Sequence, residues 1–372
     1  MIRETSPASP WPNHQRSRLL LPSELVLTAG IGILAFLTLR MDIVWVAAGI
    51  AAGWLGTLLF VRLRGPQAPN VLVRQAGQVL VGVSLGPSLA GQSLSDVVVY
   101  LPLLVAAVAG ALAGSIVIAR AYSSVDGVDG LTAGLATLPG GIGVMASVAA
   151  ELRRPASLVA LVQGLRMALV VSVVPLVSVL MDGASTREAI PSFLPDDLTS
   201  WLAWAVIVVA AFGAWRLAVR LRVMVPALLG PMALGIALAL AIPLTGADAG
   251  LVELPFFHSV LGQGLLGITV GEYLAQRSRT SRTAVAGGVA GVLATLMLAA
   301  LLAVALHAVT PWSLLTCLLI TAPGGAPEMI VVAAATSPQD LQLVVVGQLL
   351  RQIAVNALMP VWIRIFGRFG SA

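Results

Sequence analysis

The chain has 372 residues, 58% of them hydrophobic and only 10% charged, with a mean hydropathy of +0.98. Soluble domains carry about 25% charged residues, so a soluble enzyme and a DNA-binding domain are both excluded. The net charge of +5 rests on 21 basic residues, all arginine and mostly in short loops, which is how cytoplasmic loops of membrane proteins are marked rather than a nucleic-acid surface. A single cysteine, Cys317, excludes a disulfide framework and a cysteine metal cluster.

Residues 1–18 are rich in Pro and Ser and read as a cytoplasmic tail. The apolar run that follows, Leu19 to Leu39, is too long for the core of a cleavable signal, which spans about 7–15 residues. Five more apolar segments follow, near 43–61, 71–90, 96–119, 128–151 and 155–181. An acidic, proline-containing linker occupies 182–198. Six further segments lie near 199–215, 224–243, 255–275, 283–307, 312–336 and 339–363. The expected organisation is a tail (1–18), a membrane repeat (19–181), an extracytoplasmic linker (182–198) and a second membrane repeat (199–372).

The two sets are copies. Gly77, Gln78, Gly82 and Gly86 recur as Gly262, Gln263, Gly267 and Gly271, shifted by 185 positions. Pro139, Gly140, Gly141 and Met145 recur as Pro323, Gly324, Gly325 and Met329, shifted by 184, and Gln163, Arg166 and Pro175 recur as Gln348, Arg351 and Pro360. Three motifs in one order at nearly one offset establish an internal duplication.

Arginine placement then selects a topology. If all twelve segments cross, Arg153, Arg154 and the clusters at Arg216–Arg222 and Arg277–Arg282 fall outside. If each Pro-Gly-Gly segment enters and leaves on one side, seventeen arginines fall inside, only Arg40 and Arg187 fall outside, and Arg166 and Arg351 lie within segments. Five crossings per half is odd, so the second half enters upside down. The expected fold is an all-α polytopic membrane protein of two inverted repeats, each with about five spanning helices and one re-entrant segment. Both termini fall in the cytoplasm and the location is the bacterial inner membrane. Inverted repeats with broken helices near the midplane are a recurring transporter architecture.

Pro139-Gly140-Gly141 and Pro323-Gly324-Gly325 break the helix, because proline removes a donor and glycine costs roughly 1 kcal/mol relative to alanine. In lipid, irregular backbone survives only inside protein or along a watery cavity. A half-helix starting after the glycines would aim free N–H groups at that cavity, which suits an anion; a structural kink is the other reading. The pattern "LPGGIGVMASVAAE" and "APGGAPEMIVVAAA", each followed by Gln-x-x-Arg, resembles the bacterial integral membrane family AbrB, also labelled an aidB regulator or ammonia monooxygenase family. That resemblance covers about Leu25 to Phe366 and implies a duplicated membrane domain and a role in regulating gene expression. Its Pro-Gly-Gly-x-x-Glu-Met pattern is intact at Pro323–Met329, whereas Val144 replaces the Glu in the first repeat.

Glu328 is therefore the residue to weigh most, as a proton carrier or as a cap on the half-helix. Gln163 with Arg166 and Gln348 with Arg351 each share a helical face, and could meet a substrate carboxylate or the carbonyls freed by the breaks. Gly82, Gly86, Gly267 and Gly271 have the four-residue spacing that lets helices approach closely. Gly262–Gly267 spells G-x-G-x-x-G without the strand–helix context that would give it meaning. His14, His258 and His307 show no metal-ligand spacing, so neither a metal nor another cofactor is expected, and no nucleophile–base set points to an enzyme. The expected function is a secondary transporter or exporter of a small polar or anionic metabolite, with an indirectly acting membrane regulator as the alternative. Its partners are membrane lipid and a small-molecule substrate, with no direct nucleic acid; the glycine-rich helices leave a homodimer open.

Overall fold

The computed structural model describes residues 19–39, 44–64, 69–92, 94–182, 193–195, 197–246, 254–276 and 281–369. The tail, most of the linker, and Arg3, Arg16, Arg18, Arg40, Arg187, Arg277 and Arg279 lie outside these residues. Among the described residues the structure is all helical. The first half contains α1 (Leu20–Leu39), α2 (Val44–Arg64), α3 (Val71–Ala90), α4 (Leu94–Tyr122), α5 (Gly130–Thr137), α6 (Ile142–Glu151) and α7 (Ala156–Asp182). The second contains α8 (Leu198–Arg220), α9 (Pro226–Ala241), α10 (Phe256–Leu274), α11 (Arg282–Val309), α12 (Leu314–Thr321), α13 (Ala326–Thr336), α14 (Leu341–Ala357) and α15 (Met359–Phe366).

The pairing of helices is nearly unchanged when each is replaced by its counterpart in the other half. Helix α2 packs on α10 as α9 packs on α3, α1 on α2 as α8 on α9, and α4 on α5 as α11 on α12. Two layers result. A scaffold of α1–α3 and α8–α10 is knitted together by the repeated glycines. A Cβ at Gly267 or Gly271 would collide with the backbone of α2 at Val46 and Ile50, and one at Gly82 or Gly86 would collide with α9 at Leu228 and Gly235. Counterpart glycines Gly77 and Gly262 bring α3 and α10 together. The other layer holds α4–α7 and α11–α15; one buried apolar cluster lies within it and another joins it to α2, α3, α9 and α10.

Seven described helices are long and apolar enough to cross a membrane, and α14 with α15 makes an eighth if their 64° bend interrupts one span. Ten crossings were expected. The shortfall includes α3 and α10, which are 20 and 19 residues long but rich in glycine and polar side chains. They pack between other helices of the scaffold, so little of their surface needs to suit lipid. The outer faces of α1, α4, α8 and α11 carry exposed Leu and Val along their length, as a lipid-facing surface requires.

Candidate functional site

Each Pro-Gly-Gly motif is the tip of a helical hairpin. Asp129 caps the start of α5 through the Leu131 and Thr132 amides, and its carboxylate lies 3.6 Å from Arg154, just past the end of α6. The start of α5 and the end of α6 therefore meet at one base. In the second half Ser313 caps α12, and Thr316 in its first turn hydrogen-bonds Ser337 (3.0 Å) and donates to Asp340 (2.6 Å), both just past α13.

The two bases sit at opposite ends of the same helices. Tyr100 on α4 packs edge-on against Trp312 beside the second base, at 4.8 Å between ring centroids. Arg120 on α4 stacks over Phe369, whose carbonyl accepts from the Gly130 amide at the first base (3.1 Å). The twenty residues between Tyr100 and Arg120 span about 30 Å of helix, close to the thickness of the hydrocarbon core. Helix α11 repeats the relation: Ala284 accepts from Tyr122 near the first base, and His307 contacts the Trp312 carbonyl near the second.

The tips meet between these ends. Arg166 on α7 donates through Nη1 to the Thr137 and Leu138 carbonyls of its own hairpin (2.9 and 3.3 Å), and through Nε to Pro323 of the other (2.8 Å). Gln163 donates to Leu135 and Leu138 (2.7 and 2.9 Å) and accepts from Arg166. In the second half Arg351 donates to Ala322 and Gly324 (2.5 and 2.9 Å) and to Gln348, which itself donates to Leu319 and Ala322. The two Gln-x-x-Arg pairs thus take up the carbonyls orphaned where α5 and α12 stop. Both guanidinium groups are almost wholly buried. A small cavity between the tips, with room for about one water, is lined by Pro139, Pro323, Ser115, Thr295, Thr321 and Arg351.

The opposite polarity is left open. Helices α6 and α13 begin at Gly141 and Gly325 with matching extended φ/ψ of −72/136° and −74/141°, and neither has a side-chain cap. Gly140, Gly324 and Gly325 serve space rather than unusual dihedrals. Met145 folds over Gly140 and Met329 over Gly324, so a Cβ would strike the thioether in both. The sequence shows both methionines as part of the repeated motif, but nothing in it discloses this packing.

Glu328, the third residue of α13, is fully buried. Its partner is Arg74 on α3, with Nη2 2.7 Å from Oε1. Arg74 is one of the seventeen arginines that the topology places inside, and the sequence signal that sets it apart is its position within the apolar segment 71–90. Beside the pair, Glu272 on α10 accepts from the Asn70 amide (2.6 Å), and Tyr273 lies in electrostatic range of Arg74 and Glu272. Among the described residues no group of three or more His, Cys, Asp or Glu could hold a metal ion.

The family described as "Transition state regulatory protein AbrB" matches residues 45–367, which take in both hairpins and both Gln-x-x-Arg pairs. The chain belongs to the AbrB family. It is also 30% identical over 352 residues to "Uncharacterized protein YhjN" of Bacillus subtilis (strain 168), covering 85% of this chain and 88% of that protein. No solved structure matches.

Proposed function

We propose that this AbrB-family protein is a secondary transporter or exporter of a small polar or anionic metabolite, a carrier rather than a catalyst. The substrate is held where the uncapped starts of α6 and α13 meet the two hairpin tips. The observation that carries the reading is the hairpin geometry: bases about 30 Å apart on α4 and tips in contact. Two re-entrant hairpins entering from opposite faces put broken backbone at mid-membrane, where free amides and helix dipoles attract anions. The Gln-Arg pairs cover the carbonyl ends, which leaves the amide ends for substrate. On this reading the halves are inverted, both termini are cytoplasmic, and the membrane is the bacterial inner membrane.

Two measurements test it. In a Cys317→Ala background, an impermeant thiol reagent applied to intact cells is expected to label Gln339→Cys but not Glu151→Cys; labelling of both from outside would end the inverted topology. Proteoliposomes holding a pH dye are then given acetate, pyruvate, succinate, glutamate or phosphate in turn. An anion-dependent proton flux is expected, and none with any member of that set would sink the transport reading. The family's description favours a second reading, a membrane-embedded regulator acting indirectly without touching nucleic acid. Altered gene expression on deletion of the protein, alongside no flux, would favour it.

A further inference from the structure

We propose that Arg74 and Glu328 form a latch between the scaffold and the hairpin layer, opened when a carboxylate anion takes Arg74 and a proton takes Glu328. The proposal rests on the transport reading and gives it a substrate class and a coupling rule.

The pair spans the boundary between the two layers, since Arg74 belongs to α3 and Glu328 to α13. Its geometry is that of a half-used contact. An arginine and a carboxylate held only for stability favour two parallel hydrogen bonds. Here the two groups approach through Nη2 and Oε1 alone, at 2.7 Å, and Arg74 Nη1 and both Glu328 oxygens are buried without a well-formed hydrogen bond. The free Oε2 points back over Gly325, where a Cβ would overlap it. That places the spare carboxylate oxygen at the uncapped start of α13. Arg74 keeps 15% of its side chain exposed while Glu328 keeps none, so the cation is the partner an outside anion reaches first.

The other half lacks the pair, and there α6 packs less closely on α10 than α13 does on α3. By the repeat offset, Ser259 stands where Arg74 does, and Val144 where Glu328 does. Both charges are missing together.

Other charged groups near the pair are committed. Arg166 on α7 and Arg351 on α14 are spent on hairpin carbonyls, and Glu272 on α10 accepts from the Asn70 amide beside Tyr273. Loss of Arg74 therefore leaves Glu328 as an uncompensated buried charge, which takes a proton rather than stay ionised. The step balances: a monovalent anion and a proton enter, an arginine–anion pair replaces the arginine–glutamate pair, and one O–H bond forms on Glu328. One proton moves with each anion and no net charge crosses.

Dicyclohexylcarbodiimide, an apolar reagent that attacks protonated buried carboxyl groups, reads the latch without requiring transport. The full-length protein in detergent is treated across a pH series with and without acetate, and the Glu328 adduct is quantified by mass spectrometry. Acetate is expected to raise the labelling rate at neutral pH, and Arg74→Gln to raise it by about tenfold, the ratio that 1.4 kcal/mol of lost pairing gives. Arg74→Gln should also remove the acetate effect, and Arg74→Lys should restore protection. The double variant Arg74→Ser with Glu328→Val, which copies the other half, should fold and give no adduct at this position. Labelling indifferent to Arg74→Gln, or indifferent to acetate in the unaltered protein, overturns the proposal. If proteoliposomes still carry an anion-dependent flux in that case, the transport reading stands and the latch alone falls.

Discussion

The two hairpins are copies built around the same carbonyl-binding Gln and Arg, yet they are fastened differently. The first is closed at its base by the Asp129–Arg154 pair and tied there to the end of α15 and the turn after it, with Phe366 over Gly134 and the Phe369 carbonyl on Gly130. The second has a neutral hydroxyl network and Asp340 at its base, and its charge contact lies near the tip, between Glu328 and Arg74. Duplication preserved the parts that make a hairpin possible, the glycine tip and the capped carbonyls. The charges that could respond to a ligand were kept on one copy. A symmetric framework with one responsive site is what the difference teaches.

The comparison breaks most visibly at the arginines. Arg166→Gln strands carbonyls in both hairpins, at Thr137 and Pro323, whereas Arg351→Gln strands Gly324 in its own and leaves Ala322 to Gln348 alone. At roughly 1–3 kcal/mol per unsatisfied buried group, Arg166→Gln is expected to remove most folded protein, and Arg351→Gln to cost less. Fluorescence-detected size exclusion with a melting series ranks them; a larger loss at Arg351 would mean the halves are not joined through Arg166.

A finer contrast lies at the tips. A Cβ on Gly141 meets nothing closer than 3.9 Å, while one on Gly325 overlaps the Glu328 carboxylate and Met167. Gly141→Ala should therefore leave the melting temperature within about 1–2 °C, a change of about 1 kcal/mol for a chain of this size. Gly325→Ala should shift it further and expose Glu328 to carbodiimide. Equal behaviour would show that the tips are equivalent despite Glu328.

The smallest effect is expected at the first base. Arg154→Ala removes an exposed ion pair and should cost about 0–1 kcal/mol, less in high salt. Thr316→Val leaves Asp340 and Ser337 short of a hydroxyl and should cost about 1–2 kcal/mol, independent of salt. Melting curves at low and high ionic strength separate the two.

Much of this was legible in the sequence because the duplication writes each essential feature twice. Pro139 and Pro323 marked both tips, the glycines at 82, 86, 267 and 271 marked the helix crossings, and the Gln-x-x-Arg spacing marked one helical face in each half. What the sequence could not state was which of two partners each arginine meets. Arg166 and Arg351 could equally have bound substrate or carbonyls, and only the hairpin fold brings the orphan carbonyls to them. Arg74 was hidden for a different reason: it has no counterpart at position 259, so a reading based on repetition passes over it. The bend at Leu358 was also unreadable, since Pro175 sits inside a continuous α7 while Pro360 follows the break between α14 and α15.

The hold of Phe366 and Phe369 on Gly130 and Gly134 has a consequence for how the molecule is made. The first hairpin is synthesised well before the residues that close its base, which belong to the end of the second repeat. Until they arrive, the Gly130 amide lacks its acceptor and α5 lacks the aromatic cover over its glycines. The first repeat is therefore inserted as an unfinished part, and its assembly waits on α15.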